Sequence, residues 1–500
     1  MAGDKIKSAR TIAIEVLNKC DPVRNYAGTI LDRLLHSTER LPAETDQRQR
    51  ATDLVFGTLR NRRAIDTVIA EFSGRPIERI QAGLLNIIRT GTYELIYCPS
   101  TEQYAIVNEA VGSAKAAGGA KQAGFVNAVL RQIARHISNR SSDLKLETKN
   151  LKFDDAERTL LADAAIGCQF DTSFLPDSQT HPAEYLGTVF SLPEWLVDGW
   201  LAEYGEESAL RICLASNRRP GLYIRPNPLR TTIEALAEKI TDAEIGFEIA
   251  GDSEMIRIKR PRDVTQLPGF AQGEFTVQDI TASKPVRMLN NLKLKAINLK
   301  FLDLCAAPGT KTTQLAEATG DAAKIIATDI DSRRLEMVKE NIARLGIKSV
   351  DVVPYEQVPG IAPDVHRDRL LPMYIGTDFQ IVNRKSKIEN LFDCILLDVP
   401  CSNTGVLAKR IEVRYRVTAE SIGKLAGQQI ELLRYASGLV KPGGKICYST
   451  CSIQKAENSE IIEKFLEENK NFTLESQQLT LPEAEGLDHD GGYAAILEKL

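Results

Sequence analysis

The chain has 500 residues, of which 43% are hydrophobic and 26% are charged, and its formal net charge is −4. This composition is typical of globular proteins, and the length predicts roughly two to four domains. The sequence contains no run of about 18 apolar residues, which argues against a membrane-spanning helix. The first residues, MAGDKIKSAR, lack the apolar core of a secretory signal. We therefore expect a cytoplasmic protein without a membrane partner.

Nine cysteines are scattered along the chain without a paired Cys-x-x-Cys motif. We predict free thiols, no disulfide framework and no metal site. Charge is unevenly distributed. Residues 1–140 contain 20 Lys and Arg against 14 Asp and Glu, whereas residues 141–190 contain 4 against 9. A basic region is thus followed by an acidic one.

Apolar residues recur at steps of three and four from residue 8 to residue 137, without strand-like alternation. This spacing predicts an all-helical bundle. Five arginines lie close together near its centre: Arg48, Arg50, Arg60, Arg62 and Arg63. They form either a solvated helical face or a surface that contacts phosphate groups, and the sequence leaves both interpretations open.

Residues 138–190 are polar, acidic and weakly periodic, which indicates a linker with some local helix. From Gly221 to Gly273 the pattern changes to short strands around one helix, which predicts a small α/β subdomain. Arg225 and Asn227 lie at the end of its first strand. Arg225 forms either a phosphate contact or a surface ion pair.

Strands and helices alternate from Lys300 onward. This alternation predicts a mostly parallel, Rossmann-like sheet with helices on both faces and a ligand at the carboxyl ends of the strands. We assign residues 1–140 to the helical domain, 141–190 to the acidic linker, 191–290 to the small α/β subdomain and 291–500 to the Rossmann-like domain.

The stretch FLDLCAAPGTK, Phe301 to Lys311, reads as a strand, a tight turn of small residues and the start of a helix. Small residues let backbone N–H groups approach a ligand, and the helix N-terminus adds positive potential. The next strand ends in Asp329, a position from which a carboxylate reaches the hydroxyl groups of a ribose. The alternative is an ordinary βαβ turn without a ligand, since the spacing departs from G-x-G-x-x-G.

Two cysteines follow predicted strands of this sheet. Cys401 follows the strand in FDCILLDVPCSNTG, and Cys451 follows the strand in KICYSTCS. Because both lie at strand tips, the two thiols could face a common pocket, although each alone is more commonly structural. Cys394 and Cys447 lie inside the strand patterns, and we assign them to the core.

The segments LDLCAAPGTKT, DVPCSNTG and YSTCS resemble the motifs of S-adenosylmethionine-dependent RNA cytosine-C5 methyltransferases of the Sun family. Residues 1–140 resemble the NusB-like domain of its bacterial ribosomal RNA branch, through VFGTLRNRRAIDTVI, IIRTGTYELIY, IVNEAV and FVNAVLR. The resemblance implies a NusB-like all-α bundle followed by a Rossmann-like methyltransferase domain with a small α/β subdomain.

In this family a thiolate adds to C6 of cytosine, so that C5 becomes nucleophilic enough to take a methyl group. By resemblance, Cys451 is the nucleophile, Cys401 assists release of the product, and Asp398 hydrogen-bonds the cytosine ring. The target base has to leave its stack, which favours single-stranded or loop sites. RNA is implied rather than DNA, because DNA cytosine-C5 enzymes use the Pro-Cys thiol as nucleophile.

The resemblance also implies S-adenosylmethionine as cofactor and no metal. The backbone around its amino-acid end is provided by Cys305, Ala306, Ala307, Pro308, Gly309, Thr310 and Lys311. Asp329 contacts the ribose, Asp378 lies near the adenine, and Asp398 completes the cofactor-binding set.

Three segments depart from the family pattern. Thr310 stands where a second glycine is usual, IEVRY at 411–415 lacks a Pro-Asp pair, and HDGGYAA at 489–495 is less aromatic than usual. We expect the last two segments to contact RNA. The sequence does not explain the role of residues 138–190 or of an insertion at 351–375.

We therefore predict a monomeric methyltransferase that acts on C5 of a cytosine in small-subunit ribosomal RNA. A transfer RNA methyltransferase and a non-catalytic RNA-binding assembly factor remain alternatives. A nucleotide-dependent dehydrogenase is a weaker one, because the turn lacks phosphate-cradling glycines.

Overall fold

The computed structural model describes residues 8–37, 45–143, 155–163, 166–251, 254–259, 263–290, 299–358 and 392–500. The chain forms two compact units. The N-terminal unit comprises Met1–Arg218 and Leu407–Arg416, and the C-terminal unit comprises Arg219–Val406 and Val417–Leu500. Asp378 lies outside the described residues, as does most of the 351–375 insertion.

The N-terminal unit begins with seven helices: α1 (Ala9–Lys19), α2 (Ala27–Ser37), α3 (Thr45–Arg60), α4 (Arg62–Ser73), α5 (Ala82–Tyr97), α6 (Gln103–Gly118) and α7 (Ala120–His136). Ser8 caps α1 by accepting a hydrogen bond from the Thr11 N–H. The residues at three- and four-residue spacing, such as Ile12 and Val16, are buried. The predicted helical bundle is confirmed.

Short strands and two further helices follow: β1 (Ile137–Asp143), β2 (Thr159–Leu161), β3 (Ile166–Phe170), α8 (Pro182–Val189) and α9 (Glu194–Asn217). The strands form an antiparallel sheet in the order β1-β3-β2, with Leu160, Cys168 and Phe170 fully buried. Regular structure thus occurs inside the acidic range that we assigned to a linker. The assigned domain limits stay predictions.

The arginine cluster is partly built into the N-terminal unit. Arg60 is buried, and its guanidinium donates to the Ala408 carbonyl at 3.2 Å. Arg50 donates to Glu94 at 2.7 Å, and the Glu94 side chain has no exposed surface. For Arg60, both interpretations from the sequence are therefore wrong, because its side chain is buried in the fold. Arg50 is exposed and pairs with Glu94 from the solvated face of its helix, which agrees with the first interpretation.

The C-terminal unit starts with an antiparallel sheet of order β5-β6-β4-β7. Its elements are β4 (Leu222–Pro226), α10 (Ile233–Asp242), β5 (Phe247–Ile249), β6 (Ile256–Ile258) and β7 (Phe275–Val277), and helix α11 (Ile280–Asn290) comes next. This is the small α/β arrangement that the sequence predicts.

A seven-stranded sheet of order β10-β9-β8-β11-β12-β14-β13 follows. Its elements are β8 (Lys300–Asp303), α12 (Thr310–Ala318), β9 (Lys324–Ala327), α13 (Ser332–Leu345), β10 (Val350–Val352), β11 (Phe392–Asp398), α14 (Ala419–Leu439), β12 (Val440–Thr450), α15 (Ser459–Glu468), β13 (Phe472–Thr480) and β14 (Gly492–Lys499). Strands β8 to β12 pair in parallel, whereas β13 and β14 are antiparallel additions at one edge. The predicted parallel-rich sheet is confirmed.

The crossovers from β8 to β9 and from β11 to β12 run in opposite directions along this sheet. Such a switch opens a crevice at the carboxyl ends of the two central strands, where open α/β sheets bind ligands. Cys394 and Cys447 are buried within β11 and β12, which confirms their place in the core. Among the described residues, no helix has the length and apolar content needed to cross a membrane.

Arg225 and Asn227 have structural roles that the sequence does not predict. Arg225 is buried, and its Nε and Nη2 donate to the Glu317 carboxylate at 3.0 and 2.9 Å. The Asn227 amide donates to the Gly273 carbonyl at 2.9 Å. Both proposed roles of Arg225, a phosphate contact and a surface ion pair, are wrong, because its ion pair is buried against α12.

Candidate active site

The turn between β8 and α12 is the first part of the site. Gly309 has a φ of 99°, a left-handed conformation that favours glycine, and α12 begins at the next residue. The Gly309 N–H donates to the Ala306 carbonyl, and the Ala306 N–H donates to the Thr328 carbonyl. Because Thr310 is already the first residue of the helix, its position does not require a second glycine.

Asp329 closes this turn from the tip of β9. Its carboxylate accepts hydrogen bonds from the Ala307 N–H at 3.2 Å and from the Asp331 N–H at 3.0 Å. Arg334 lies 3.4 Å from the same carboxylate. The structure thus brings Asp329 to the cofactor-type turn, as the sequence predicts.

Asp303, at the end of β8, is an acidic residue of the site to which the sequence assigns no role. It is buried, with one oxygen accepting from the Thr312 hydroxyl at 2.6 Å. The other oxygen, Oδ1, has no hydrogen-bond partner. Burial raises the pKa of Asp303 to about 7. The sequence pattern that could have identified Asp303 as a site residue is an acidic residue at the end of an apolar strand.

Lys311 and Asp398 form an ion pair between α12 and the end of β11, with Nζ 2.7 Å from Oδ2. The other Asp398 oxygen accepts from the Ser449 hydroxyl at 2.8 Å. Burial opposes the ammonium charge of Lys311, but the Asp398 carboxylate outweighs it and raises the Lys311 pKa. The Lys311 ammonium therefore stays charged at neutral pH.

The two strand-tip cysteines face each other. Strands β11 and β12 pair in parallel with Asp398 opposite Ser449, so the loops that follow them start side by side. The Cys401 and Cys451 sulfur atoms are 3.2 Å apart. The hydrogen bond with Cys451, together with burial, raises the Cys401 pKa well above its ordinary value. Their predicted proximity is confirmed.

A loop residue between the cysteine motifs fixes this arrangement. Asn403 has a left-handed backbone with a φ of 62°. Its side-chain oxygen accepts from the Cys451 thiol at 3.1 Å, and its side-chain nitrogen donates to the Cys401 carbonyl at 2.8 Å. One amide thus contacts both cysteine loops.

Glu457 is buried and connects the same two loops through hydrogen bonds. It accepts hydrogen bonds from the Ser402 N–H at 2.8 Å and from the hydroxyls of Ser402 and Ser452 at 2.5 Å each. The Gln429 amide adds a bond at 3.1 Å. Burial raises the Glu457 pKa, although these donors oppose the shift. No sequence signal marks Glu457, which lies in a polar loop.

A solvent-open cleft adjoins Cys451. It is lined by Lys284 of α11, by Lys311 and by the segment Asp490–Ala494. One of the two segments expected to contact RNA therefore lines the cleft beside the thiols. The described residues contain no group of three or more His, Cys, Asp or Glu that could hold a metal ion.

The other segment, at 411–415, lies elsewhere. Ile411, Glu412 and Arg414 are buried in the N-terminal unit, with 2%, 5% and 4% of their surfaces exposed. These three side chains are used in protein packing, and the expected RNA contact of this segment stays a prediction.

Three family models match the chain. Residues 291–495 match the 16S rRNA methyltransferase RsmB/F family, residues 7–135 the NusB family, and residues 192–265 the ferredoxin-like domain of RsmF/B-like methyltransferases. A probable ribosomal RNA small subunit methyltransferase B from Synechocystis is 30% identical over 493 residues. The match covers 98% of this chain and 96% of that relative.

The chain belongs to the RsmB/F methyltransferase family. A second relative with the same name, from Bacillus subtilis, is 28% identical and covers 96% of this chain and 93% of its own. The crystal structure of PH0851 aligns with a TM-score of 0.69 at 22% identity, covering 99% of this chain and all of that one. At that identity, the structural likeness shows a shared fold alone.

Proposed function

We propose that this RsmB/F methyltransferase transfers a methyl group from S-adenosylmethionine to C5 of a cytosine in small-subunit ribosomal RNA. The observation that carries the proposal is the 3.2 Å separation of the Cys401 and Cys451 sulfur atoms at the carboxyl edge of the sheet. Two thiols at this edge, beside a cofactor-type turn, suit a reaction that both forms and breaks a carbon–sulfur bond.

The residues of the turn fit S-adenosylmethionine. The unpartnered Asp303 oxygen offers a buried acceptor to a positively charged group, and the ammonium and sulfonium of the cofactor are such groups. The N-terminus of α12, which begins at Thr310, provides backbone donors and positive potential, and Asp329 provides a carboxylate for the ribose. The cofactor supplies an electrophilic methyl group to this site.

Cys451 is the proposed nucleophile. Its thiolate forms a bond to C6 of the cytosine, and the electron pair of the C5–C6 bond then becomes available at C5. C5 would then take the methyl group, so that the new C–C bond forms while the bond between the methyl carbon and the sulfonium sulfur breaks, and the electron pair of that bond stays on sulfur as a neutral thioether. The charged Lys311 lines the same cleft as Cys451, so positive charge is present where the attacking sulfur is negative.

Cys401 is proposed to assist the second half of the reaction. The proton on C5 leaves to a base, the C5–C6 double bond re-forms, and the C6–S bond to Cys451 breaks. A sulfur atom 3.2 Å from Cys451 is within reach of this event. Asp398, whose side chain keeps about a third of its surface exposed, is proposed to hydrogen-bond the cytosine ring during the addition.

Small-subunit ribosomal RNA is the proposed substrate because the relatives that span the chain carry that activity in their names. A transfer RNA substrate is the alternative within the same chemistry. A non-catalytic assembly factor is disfavoured, because Cys401, Cys451 and Asp398 occur together at one edge of the sheet.

The test is methyl transfer from isotopically labelled S-adenosylmethionine to unmodified small-subunit ribosomal RNA and to transfer RNA, with base-resolution mapping of 5-methylcytosine. Label at C5 of a cytosine in ribosomal RNA, absent with Cys451→Ala, supports the proposal. Label only in transfer RNA contradicts the substrate. Tight ribosomal RNA binding without any transfer favours the assembly factor.

A further inference from the structure

Ten residues interrupt the C-terminal unit directly after the loop that carries Cys401. The segment Leu407–Arg416 belongs to the N-terminal unit, and the chain returns to the C-terminal unit at Val417. A loop next to the reacting groups is therefore continuous with a segment that folds as part of another unit.

Arg414 is the central anchor of this segment. Its guanidinium is buried and donates to the Arg60 carbonyl at 2.7 Å, to the Phe190 carbonyl at 3.1 Å and to the Ser216 carbonyl at 2.9 Å. It also donates to the Asn217 side-chain oxygen at 2.9 Å. One planar cation thus joins the ends of α3, α8 and α9, a fork that lysine cannot reproduce.

Neighbouring residues add further anchors. The Ala27 N–H, at the start of α2, donates to the Glu412 carboxylate at 2.9 Å. The Arg416 guanidinium donates to the Asn25 carbonyl at 2.7 Å and lies 4.1 Å from the centre of the Tyr26 ring. The segment is therefore held along its whole second half.

The Tyr415 hydroxyl also donates a hydrogen bond, to the Leu59 carbonyl. Arg410, by contrast, is exposed. Tyr415 is thus a weaker anchor than Arg414, and Arg410 is an arginine of the same segment that can serve as a matched control.

The loop that precedes the anchored segment is held against Cys451 through Gly405. The Gly405 N–H donates to the Cys451 carbonyl at 3.0 Å, and the Gly491 N–H donates to the Gly405 carbonyl at 2.7 Å. A Cβ on Gly405 would lie 2.6 Å from the Gly491 carbonyl oxygen, so the backbones approach closely here. Gly405, the last residue of the loop 401–405, is therefore held at the site two positions before the anchored segment begins.

We infer that Arg414 is a positioning residue: by anchoring Leu407–Arg416, it fixes through the chain the loop that places Cys401 against Cys451. This inference rests on the proposed function. Arg414 touches no reacting atom in this account. Its loss lets Cys401 move from Cys451, so that release of the methylated base slows while RNA binding does not change.

The test compares Arg414→Met, Arg414→Lys and the control Arg410→Met in the full-length protein. For Arg414→Met we expect kcat to fall between about tenfold and a hundredfold, with the KM for RNA falling in parallel because the covalent complex accumulates, and with kcat/KM and the Kd for RNA unchanged. We also expect a covalent RNA adduct on a denaturing gel, since release is the slowed step. Arg414→Lys should be intermediate, and Arg410→Met should match the wild type.

A second readout does not depend on activity. Alkylation of each cysteine, followed by mass spectrometry, should show faster labelling of Cys401 in Arg414→Met and unchanged labelling of the core thiol Cys447. If Arg414→Met does not fold, Tyr415→Phe removes one anchor and should give the same changes at smaller size.

Wild-type labelling of Cys401 together with a wild-type kcat, in a folded Arg414 or Tyr415 variant, overturns the inference. Cys401→Ala on the same gel separates the two proposals. An adduct in Cys401→Ala but none in a folded Arg414→Met contradicts the positioning role alone. No adduct in either, while the wild type methylates, contradicts the proposed thiol roles.

Discussion

The sulfur atoms of Cys401 and Cys451 lie 3.2 Å apart, although 50 positions separate the residues in the chain. This separation follows from the parallel pairing of β11 and β12, which starts both loops at the same edge of the sheet. The proposed methyl transfer depends on this relationship and on the groups that maintain it.

Lys311 is expected to matter through its charge. Lys311→Met leaves the Asp398 carboxylate without its partner at 2.7 Å and removes positive charge from the cleft beside Cys451. We expect kcat to fall on the order of a hundredfold. The control is Lys339→Met, an exposed lysine on α13. Full activity in Lys311→Met would show that this ion pair has no part in the reaction.

Glu457 is expected to support both stability and catalysis. Glu457→Gln replaces an acceptor of several hydrogen bonds with a group that can donate, so part of the network around Ser402 and Ser452 is lost. We expect the free energy of unfolding to fall by about 1 to 3 kcal/mol, measured by denaturant titration. Glu467→Gln, at an exposed position of α15, is the matched control. An unchanged midpoint in Glu457→Gln would contradict a supporting role.

Asp303 is expected to make stability depend on pH. Its folded pKa of about 7 lies above its ordinary value of 3.8. Between these values the unfolded state has lost a proton that the folded state keeps. The Asp303 contribution to the free energy of unfolding therefore falls as pH rises from about 4 to about 7, by as much as about 4 kcal/mol.

Asp303→Asn should remove this contribution. Denaturant titrations of the wild type and the variant, at pH 4.5 and pH 8, give the change in the free energy of unfolding between the two pH values for each protein. The contributions of the other titrating groups are common to both proteins and cancel in the comparison. The wild type should lose more stability between the two pH values than Asp303→Asn does. Equal losses would show that the Asp303 carboxylate ionises in the folded state as it does in the unfolded chain.

The sequence predicts the site best where regular structure determines position. Alternating strands and helices predict a parallel sheet, and parallel strands bring their tips together, so the proximity of Cys401 and Cys451 follows from pattern alone. Asp329 is predicted for the same reason. The position of each of these residues is determined by the strand that it follows and by the carboxyl end of that strand.

The remaining features depend on packing between distant segments. Glu457 has its role only because the loops of Ser402 and Ser452 converge on it. Arg225 lies at a strand end, as predicted, but the Glu317 carboxylate with which it pairs belongs to a different element, helix α12. Arg414 follows the cysteine loop in sequence yet packs in the N-terminal unit. No local pattern encodes these partners.

The central claim is tested most directly by incubating Cys401→Ala with S-adenosylmethionine and unmodified small-subunit ribosomal RNA, and resolving the products on a denaturing gel. Cys401→Ala/Cys451→Ala is run beside it. The account predicts a slowly migrating protein–RNA adduct with the single variant and none with the double variant, because Cys451 bonds to C6 and Cys401 is needed for release. Absence of an adduct in Cys401→Ala, while the wild type methylates the same RNA, would contradict the proposed roles of the two thiols.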